Sequence, residues 1–227
     1  MADLLPRGVT LAFDTSGPAC CAALLDRDAV LVERVEAMAR GQAERLIPLL
    51  QDLLAEAGLD WRDVARIGVG TGPGNFTGIR ISVAAARGLA LSLSRPALGV
   101  GMLDALAQGL PRPCLTVVGG RRGTVYLQRH DHDHAAPHAP MCLALDDPTT
   151  GALPPLPICG DMAAEIARRT GGSVVPPVAP LAVSIARIAA GRPAVSGERP
   201  RPVYVRAADA APVTDLPPPI LPGPPRP

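Results

Sequence analysis

The sequence contains no lysine, so all 22 basic residues of the 227-residue chain are arginines. Aromatic residues make up 2% of the chain, whereas hydrophobic residues together make up 48%. A core must therefore consist mainly of Ala, Leu, Val and Ile side chains, which pack helices against sheets without bulky rings. With a formal net charge of +1, the chain also lacks the broad positive field with which a protein grips nucleic acid by itself.

Three further features are missing, and each disfavours a class of protein. The five cysteines include no C-x-x-C pair, which argues against a zinc site or a disulfide framework and predicts reduced, buried thiols. The sequence has no uninterrupted run of 18 apolar residues, as a membrane-spanning helix would need. An Asp and a Pro stand where a signal peptide has a basic start and an apolar centre. We therefore expect a cytoplasmic globular protein that makes no contact with a membrane.

The first half of the chain alternates between strand and helix patterns. Three apolar runs separated by turn residues predict a meander of three strands at residues 9–14, 20–25 and 29–36. Apolar residues at helical spacing then predict a helix over residues 42–57, ended by Gly58, with Pro48 tolerated only near the first turns. A strand at 65–70, a helix at 77–93 capped by Asn75 or Thr77, and one more strand and short helix before residue 109 complete the pattern.

The second half repeats part of this pattern after a composition break at residues 109–113, GLPRP. Residues 115–128 again read as strand, glycine turn and strand, followed by a loop-rich stretch, a strand near residue 158 and helices at 161–169 and 181–190. The echo indicates an internal duplication of a mixed sheet with helices packed on it, an α/β layer architecture. The predicted domains are residues 1–110 and a smaller one at 111–206, followed by a proline-rich tail at 207–227 that we expect to be disordered.

The stretch GTGPGNFTGIR, residues 70–80, lies between a predicted strand and a predicted helix. It fits neither a Walker loop, which requires a lysine, nor the dinucleotide pattern G-x-G-x-x-G. Free N–H groups at a helix start can still bind an anion. Two interpretations stay open: a turn that only starts the helix, or an anion site formed by Gly72, Gly74, Asn75 and Thr77.

The helices predicted at residues 42–57 and 77–93 carry more apolar surface than one sheet can cover. The second is apolar on nearly every side and has small residues at positions 78, 82, 86 and 90, which would let another backbone come close. We interpret the excess as a surface for a partner chain. The alternative is a helix sandwiched within its own domain. The predicted partner-binding residues are Leu46, Leu49, Leu50, Leu53, Ile79, Arg80, Val83 and Ala86.

Two polar features invite a reading as a catalytic or metal site. Asp14 ends the first predicted strand beside Thr15 and Ser16, but the matching second hairpin has Gly119 where a second carboxylate would stand. We therefore interpret Asp14 as a polar turn residue. All four histidines lie in HDHDHAAPH, residues 130–138, where a solvated hairpin tip is a commoner explanation than a zinc or nickel site. The sequence predicts no catalytic residue and no metal site.

Five segments of the sequence carry a family signature: LAFDTS, ERLIPLLQDLL, GTGPGNFTGIRISVAAARGLAL, RPALGVGMLDALA and the late RPVYVR. The order G-P-G-x-F-T-G-[IL]-R within the third segment is specific. In these segments the chain resembles the bacterial TsaB family, also called YeaZ. The resemblance covers most of residues 9–130 and returns at 202–206.

The resemblance implies a duplicated actin-like fold (ribonuclease H-like, ASKHA) of two mixed-sheet domains. It also implies a non-catalytic dimerisation subunit of the complex that adds threonylcarbamoyl to the adenosine next to the tRNA anticodon. Such a subunit would bind the transferase TsaD through the two first-domain helices, and with it the small ATPase TsaE. It would meet tRNA only through the complex, form a homodimer when alone, and have no cofactor of its own, with ATP or ADP at the complex interface.

The sequence departs from the family pattern in several places. Gln42 stands where members often have a His, Gly119 replaces the usual Asp of the second hairpin, and the histidine-rich stretch and the proline-rich tail are not family features. The alternative functions are a divergent actin-like ATPase, a metallopeptidase-like enzyme, and a self-associating scaffold whose homodimer uses the same two helices. The missing second carboxylate disfavours the ATPase, and no H-x-x-x-H motif stands outside the histidine-rich stretch to support the peptidase.

Overall fold

The structure, a computed structural model, describes residues 8–132, 138–193 and 199–205. The first half contains five strands and three α-helices in the predicted order. They are β1 Val9–Asp14, β2 Ala19–Asp26, β3 Ala29–Ala37, α1 Gln42–Glu56, β4 Val64–Gly70, α2 Phe76–Leu93, β5 Ala97–Val100 and α3 Met102–Ala107. The cap of α2 is Asn75 and not Thr77, and Pro48 lies inside α1 beyond its first turn.

The second half repeats the same order of elements. They are β6 Cys114–Gly119, β7 Thr124–His130, β8 Met141–Ala144, α4 Pro148–Gly151, β9 Pro157–Cys159, α5 Ala163–Thr170, β10 Ser173–Val174 and α6 Leu181–Gly191. Two of these elements, β8 and α4, fall in the stretch that the sequence analysis left as loop. The predicted proline-rich tail lies outside the described residues.

Each half forms one five-stranded mixed sheet, which confirms the predicted duplication. The strand order is β3-β2-β1-β4-β5 in the first sheet and β8-β7-β6-β9-β10 in the second. In both sheets the first strand pairs antiparallel with the second and parallel with the fourth of its half. The two sheets therefore share one topology.

The first sheet is covered on both faces, and its central strand β1 sends apolar residues to each of them. In β1, Val9, Leu11 and Phe13 pack under α1 and α2, while Ala12 points to the opposite face and packs under α6. This is the two-residue alternation of a strand, here with both sides buried.

The last helix of each half packs across the boundary between the halves. Helix α3 contacts β6 and β7 of the second sheet, and α6 contacts β1, β2 and β4 of the first. Gly68 of β4 permits this approach, since an added Cβ there would lie 2.9 Å from Cβ of Ala189. The break at residues 109–113 separates the two sheets, but α6 belongs physically to the core of the first.

The segment 199–205 also returns to the first half. The N–H of Val203 donates to the carbonyl of Thr71, and Nε of Arg87 donates to the carbonyl of Pro200, at 2.9 Å each. We call residues 199–205 the strap, because they run from the end of β4 over the surface of α2.

Candidate functional site

The glycine loop before α2 is held by hydrogen bonds within the chain. The side-chain oxygen of Asn75 accepts from the N–H groups of Thr77 at 2.9 Å and Gly78 at 3.1 Å, and the N–H of Asn75 donates to the carbonyl of Ser16. Gly74 packs against Ser16, with space for no Cβ. Because two amides that an anion would need are already bonded, this geometry favours the turn that starts a helix over the anion site that includes Gly72.

The small residues of α2 at positions 78, 82 and 86 face the chain's own core. A Cβ at Gly78 would lie 2.0 Å from the carbonyl oxygen of Thr15, whose hydroxyl donates to the Gly78 carbonyl at 2.7 Å. Ser82 and Ala86 have no solvent exposure. The prediction that these positions admit a second chain is therefore corrected: the backbone that comes close is the turn after β1.

Seven of the eight predicted partner-binding residues are buried inside the chain. Leu46, Leu49, Leu50 and Leu53 of α1 and Ile79, Val83 and Ala86 of α2 are at most 3% exposed, and only Arg80 is exposed. These apolar side chains are packed beneath the helices and cannot reach another protein in this conformation. A partner of the helix pair would have to contact the outer faces of α1 and α2.

The outer face of α2 is an apolar stripe with small residues in its middle. Phe76, Arg80, Ala84, Gly88 and Leu91 follow one another at helical spacing, and all five are exposed, Leu91 by 82%. We call these five residues the α2 stripe. An added Cβ at Gly88 would meet no atom within 4 Å, so nothing within the described chain requires a glycine there.

Helix α1, which contacts α2, has an exposed row of its own. Ile47, Gln51 and Ala55 lie at helical spacing and are exposed, Ile47 by 37%. The two helices contact each other on the same face of the first sheet. Together they present one continuous outer surface.

The strap adds an aromatic residue to the start of the α2 stripe. The rings of Phe76 and Tyr204 lie 5.1 Å apart, and the Arg80 guanidinium stands 3.7 Å above the Phe76 ring. Nε of Arg80 donates to the Tyr204 hydroxyl at 3.0 Å. Although Phe76 and Tyr204 are 41% and 47% exposed, these stacked contacts hold both rings in place.

Asp14 is buried, so its interpretation as a polar turn residue is corrected. It is 2% exposed; its Oδ1 accepts from the N–H and hydroxyl of Ser16, and its Oδ2 has no hydrogen-bond partner among the described residues. Burial raises the pKa of the Asp14 carboxyl, against the lowering effect of the Ser16 hydrogen bonds. Gly70 provides the room, because a Cβ there would lie 1.9 Å from Oδ2.

A carboxylate from a distant part of the chain binds the second hairpin, formed by β6 and β7. The N–H of Gly119 donates to Oδ1 of Asp161 at 2.8 Å. Asp161 lies just before α5, and its relation to Gly119 was not visible in the sequence because 42 residues separate them.

The histidine-rich stretch is divided by the fold. His130 ends β7, is 2% exposed and shares a 2.9 Å hydrogen bond with the Thr116 hydroxyl through Nε2; burial lowers its pKa to about 4. His138 instead pairs with Asp131 at 2.8 Å. His134, which stands at H-x-x-x-H spacing from both, lies outside the described residues. Within the described part of the chain, no group of three His, Cys, Asp or Glu side chains could hold a metal ion.

A cleft of about 540 Å³ lies between the two halves. Its walls come from the ends of β4 and β5, from α3, from β7, from the residues before β8, from the end of α6 and from the strap. Its polar lining includes Asp104, Gln128, Arg192, Arg199 and Arg201. We call this space the interdomain cleft; none of these five residues was singled out from the sequence, because they are far apart in it.

Comparison with known proteins gives a consistent set of relatives. Residues 35–137 match the family model of TsaD, tRNA N6-adenosine threonylcarbamoyltransferase. The chain is 36% identical over 128 residues to the tRNA threonylcarbamoyladenosine biosynthesis protein TsaB of Escherichia coli (strain K12), covering 54% of this chain and 55% of that protein. It is 36% identical over 122 residues to TsaB of Bacillus subtilis (strain 168), covering 51% and 52%. The chain thus spans about half the length of the curated relatives it matches.

Solved structures extend the likeness over most of the chain. A Pseudomonas aeruginosa structure, titled an uncharacterized protein with similarity to peptidase YEAZ, superposes with a TM-score of 0.71 at 28% identity, over 88% of this chain and all of that one. YeaZ from Pseudomonas aeruginosa superposes with a TM-score of 0.65 at 27% identity, over 80% and 90%.

A more distant neighbour bears on the fold alone. The ethanolamine utilization protein EutJ from Carboxydothermus hydrogenoformans has a TM-score of 0.50 at 14% identity, over 82% of this chain and 91% of that one. The duplicated topology and these neighbours confirm the duplicated actin-like fold predicted from the sequence. The shared sequence and structure support the TsaB (YeaZ) family for this chain.

Proposed function

We propose that this chain is a non-catalytic subunit in the biosynthesis of threonylcarbamoyladenosine in tRNA. Its partner is a TsaD-type transferase, bound through the outer faces of α1 and α2, and a TsaE-type ATPase joins that pair. The relatives named TsaB and the match to the TsaD family model support this role. In this role the chain works in the cytoplasm, has no cofactor of its own, and meets tRNA and ATP or ADP only in the complex.

The observation that carries the proposal is the exposure of α2. This helix has a mean hydropathy of 1.2, yet only 28% of it is buried within the chain. Among the described residues it is also the one helix whose length and composition would allow it to cross a membrane. Since α2 packs through Ile79, Val83 and Ala86 against the first sheet, we assign its uncovered apolar face to a protein partner.

The α2 stripe has the shape that a partner helix needs. Ala84 and Gly88 leave the middle of the stripe low, so that a second helix could approach closely there, while Phe76 and Leu91 project at its two ends. The exposed row of Ile47, Gln51 and Ala55 on α1 adds to this surface. A four-helix contact of this kind would have an apolar centre and a polar rim, as protein interfaces do.

The arrangement of carboxylates supports a non-catalytic role. Asp14, the carboxylate at the end of β1, is enclosed by Gly70 and Ser16, and Gly119 offers only its backbone in the matching hairpin. Phosphoryl chemistry depends on accessible groups that bind metal and phosphate. We therefore expect the purified chain to hydrolyse no ATP and to transfer no threonylcarbamoyl group; turnover that disappears in Asp14→Ala would contradict this.

The interface is tested by placing a charge on the α2 stripe. Leu91→Glu puts a carboxylate at a position that is 82% exposed, so the isolated chain should fold normally, while a desolvated interface would lose several kcal/mol of association free energy. The matched control is Val174→Glu on β10, 56% exposed and on the other sheet. Val83→Glu is unsuitable, because Val83 is buried and the charge would unfold the domain.

The measurement is the affinity of each variant for the TsaD-type transferase by calorimetry, with melting temperatures recorded in parallel. Loss of binding in folded Leu91→Glu, but not in Val174→Glu, is the expected result. Equal affinity of both variants and the wild type would remove the α2 stripe from the interface. Light scattering of the free chain, at several concentrations, reports whether the same variant also abolishes a homodimer.

A further inference from the structure

The interdomain cleft is lined by more positive than negative charge. Three arginines line it, Arg192, Arg199 and Arg201, against one carboxylate, Asp104. Nη1 of Arg192 donates to the carbonyl of Gly99 at 2.9 Å, which leaves the rest of its guanidinium available. Neither Arg199 nor Arg201 has an ion-pair partner within the described residues. Guanidinium groups of this kind are suited to binding a phosphate or carboxylate through two hydrogen bonds.

Arg199 and Arg201 differ from two nearby arginines, Arg66 and Arg87, whose side chains are engaged in hydrogen bonds within the chain. Nη1 of Arg66 donates to the carbonyls of Ala189, Ala190 and Arg192, and Nε of Arg87 donates to that of Pro200. Those two side chains hold α6 and the strap in place. Arg199 and Arg201 make no such side-chain contact among the described residues, although both lie on the strap that those contacts fix.

On another wall of the cleft, the side chains of Gln128 and Asp104 provide hydrogen-bond acceptors. Gln128 is 4% exposed, and its Nε2 donates to Oδ1 of Asp104 at 3.0 Å. The side-chain oxygen of Gln128 accepts no hydrogen bond from any described residue, yet it is not among the enclosed atoms that lack a partner. Gln128 and Asp104 both line the cleft, so this oxygen and Oδ2 of Asp104 are the acceptor atoms that this wall can offer to hydroxyl or amino groups.

The cleft overlaps only in part with the places where the sequence suggested chemistry. Gly72 of the glycine loop and His138 of the histidine-rich stretch line it, whereas Asp14, Asn75 and Gly119 do not. A volume of about 540 Å³ lies in the range of small-molecule sites, which are about 300–1,000 Å³. Leu103, Val203 and several prolines supply the apolar part of the wall that such sites need.

We propose that the interdomain cleft binds a small phosphate monoester that carries hydroxyl groups, with Arg199 and Arg201 on the phosphate and Gln128 and Asp104 accepting from the hydroxyls. A cleft of about 540 Å³ suits a small molecule better than a nucleic-acid backbone. Because walls from both halves would contact the ligand, binding stabilises the folded chain and raises its melting temperature.

The test uses three probes on the full chain: ribose 5-phosphate, inorganic phosphate and ribose. Calorimetry should show ribose 5-phosphate binding more tightly than inorganic phosphate, with ribose giving no measurable heat. Amide NMR shifts in the wild type should change at Thr71, Gly99 and Gly101, which line the cleft. Absence of binding at millimolar ribose 5-phosphate, or shifts confined to other regions, would overturn the proposal.

The paired variants separate a site from general charge attraction. Arg199→Gln with Arg201→Gln removes two cleft charges, and Arg40→Gln with Arg95→Gln removes two exposed charges outside it. Losing charge-assisted hydrogen bonds should weaken ribose 5-phosphate binding at least about tenfold in the first pair, with no change in the second. Equal weakening in both pairs, or none in the first, would refute a specific site. The wild-type NMR shifts decide the matter if the first pair does not fold.

Discussion

Replacing Gly88 by Ala should stabilise the isolated chain and weaken its complex with the transferase. Gly88 lies inside α2, is exposed, and has no atom within 4 Å of the position where a Cβ would be. A glycine in a helix interior costs about 1 kcal/mol relative to alanine, and nothing in the described chain uses the space that it leaves. For a chain of this length a gain of about 1 kcal/mol corresponds to a rise in melting temperature of about 2–4 °C.

The same methyl group acts in the opposite direction if a partner helix packs over Gly88. Adding a methyl to a close contact costs about 1–3 kcal/mol, which weakens association about fivefold to about 150-fold. Gly151→Ala is the control, because Gly151 ends α4 on the second sheet and its added Cβ would also meet nothing within 4 Å. The measurements are melting temperature and calorimetric affinity for the transferase. If the melting temperature rises and the affinity is unchanged, Gly88 does not lie in the interface. If the melting temperature falls, the packing assigned to α2 is wrong.

Three further outcomes follow from the structure and the sequence. Asp14→Asn should flatten the dependence of melting temperature on pH. Because the pKa of Asp14 is raised in the folded chain, the wild type loses stability as the pH rises above the ordinary pKa of an aspartate. Parallel curves of melting temperature against pH for wild type and variant, from pH 4 to 8, would contradict the burial of Asp14. Tyr204→Ala should lower the melting temperature by several degrees, because it removes the ring contact with Phe76 and the hydrogen bond from Arg80, while Tyr204→Phe, which keeps the ring, should lower it less. Deleting residues 209–227 should leave the melting temperature unchanged, since a proline-dense segment buries too little apolar surface to offset its ordering entropy; a drop of several degrees would mean that the tail docks.

Much of the fold could be predicted because its signals are local. The apolar runs of β1 to β3 and the helical spacing in α1 lie within short windows, and so does the Asn75 cap of α2. The repeated strand, glycine turn and strand at residues 115–128 indicated the duplication. Elements such as β8, with four residues and weak alternation, carried too little local signal to be recognised.

The orientation of α2 was decided only by tertiary structure. Its sequence is apolar on nearly every side, so its spacing could not distinguish the face toward the sheet from the face toward a partner. The choice is made where Gly78 meets the carbonyl of Thr15, 63 residues away in sequence. That contact turns Val83 and Ala86 inward and leaves Ala84 and Gly88 outside, which is why the predicted partner residues lie in the core.

The sequence by itself determined the apolar character of the two helices, the duplication and the family. The tertiary structure decided which side chains are accessible, because accessibility depends on contacts between segments that are distant along the chain. Helix α6 crosses to the first sheet and closes its second face, and residues 199–205 return to α2 with Tyr204. The fold also places Asp14 beside Gly70 and brings Gln128, Arg192 and Arg201 to one cleft. No local sequence pattern predicts these contacts, because each depends on many weak packing interactions over the whole chain.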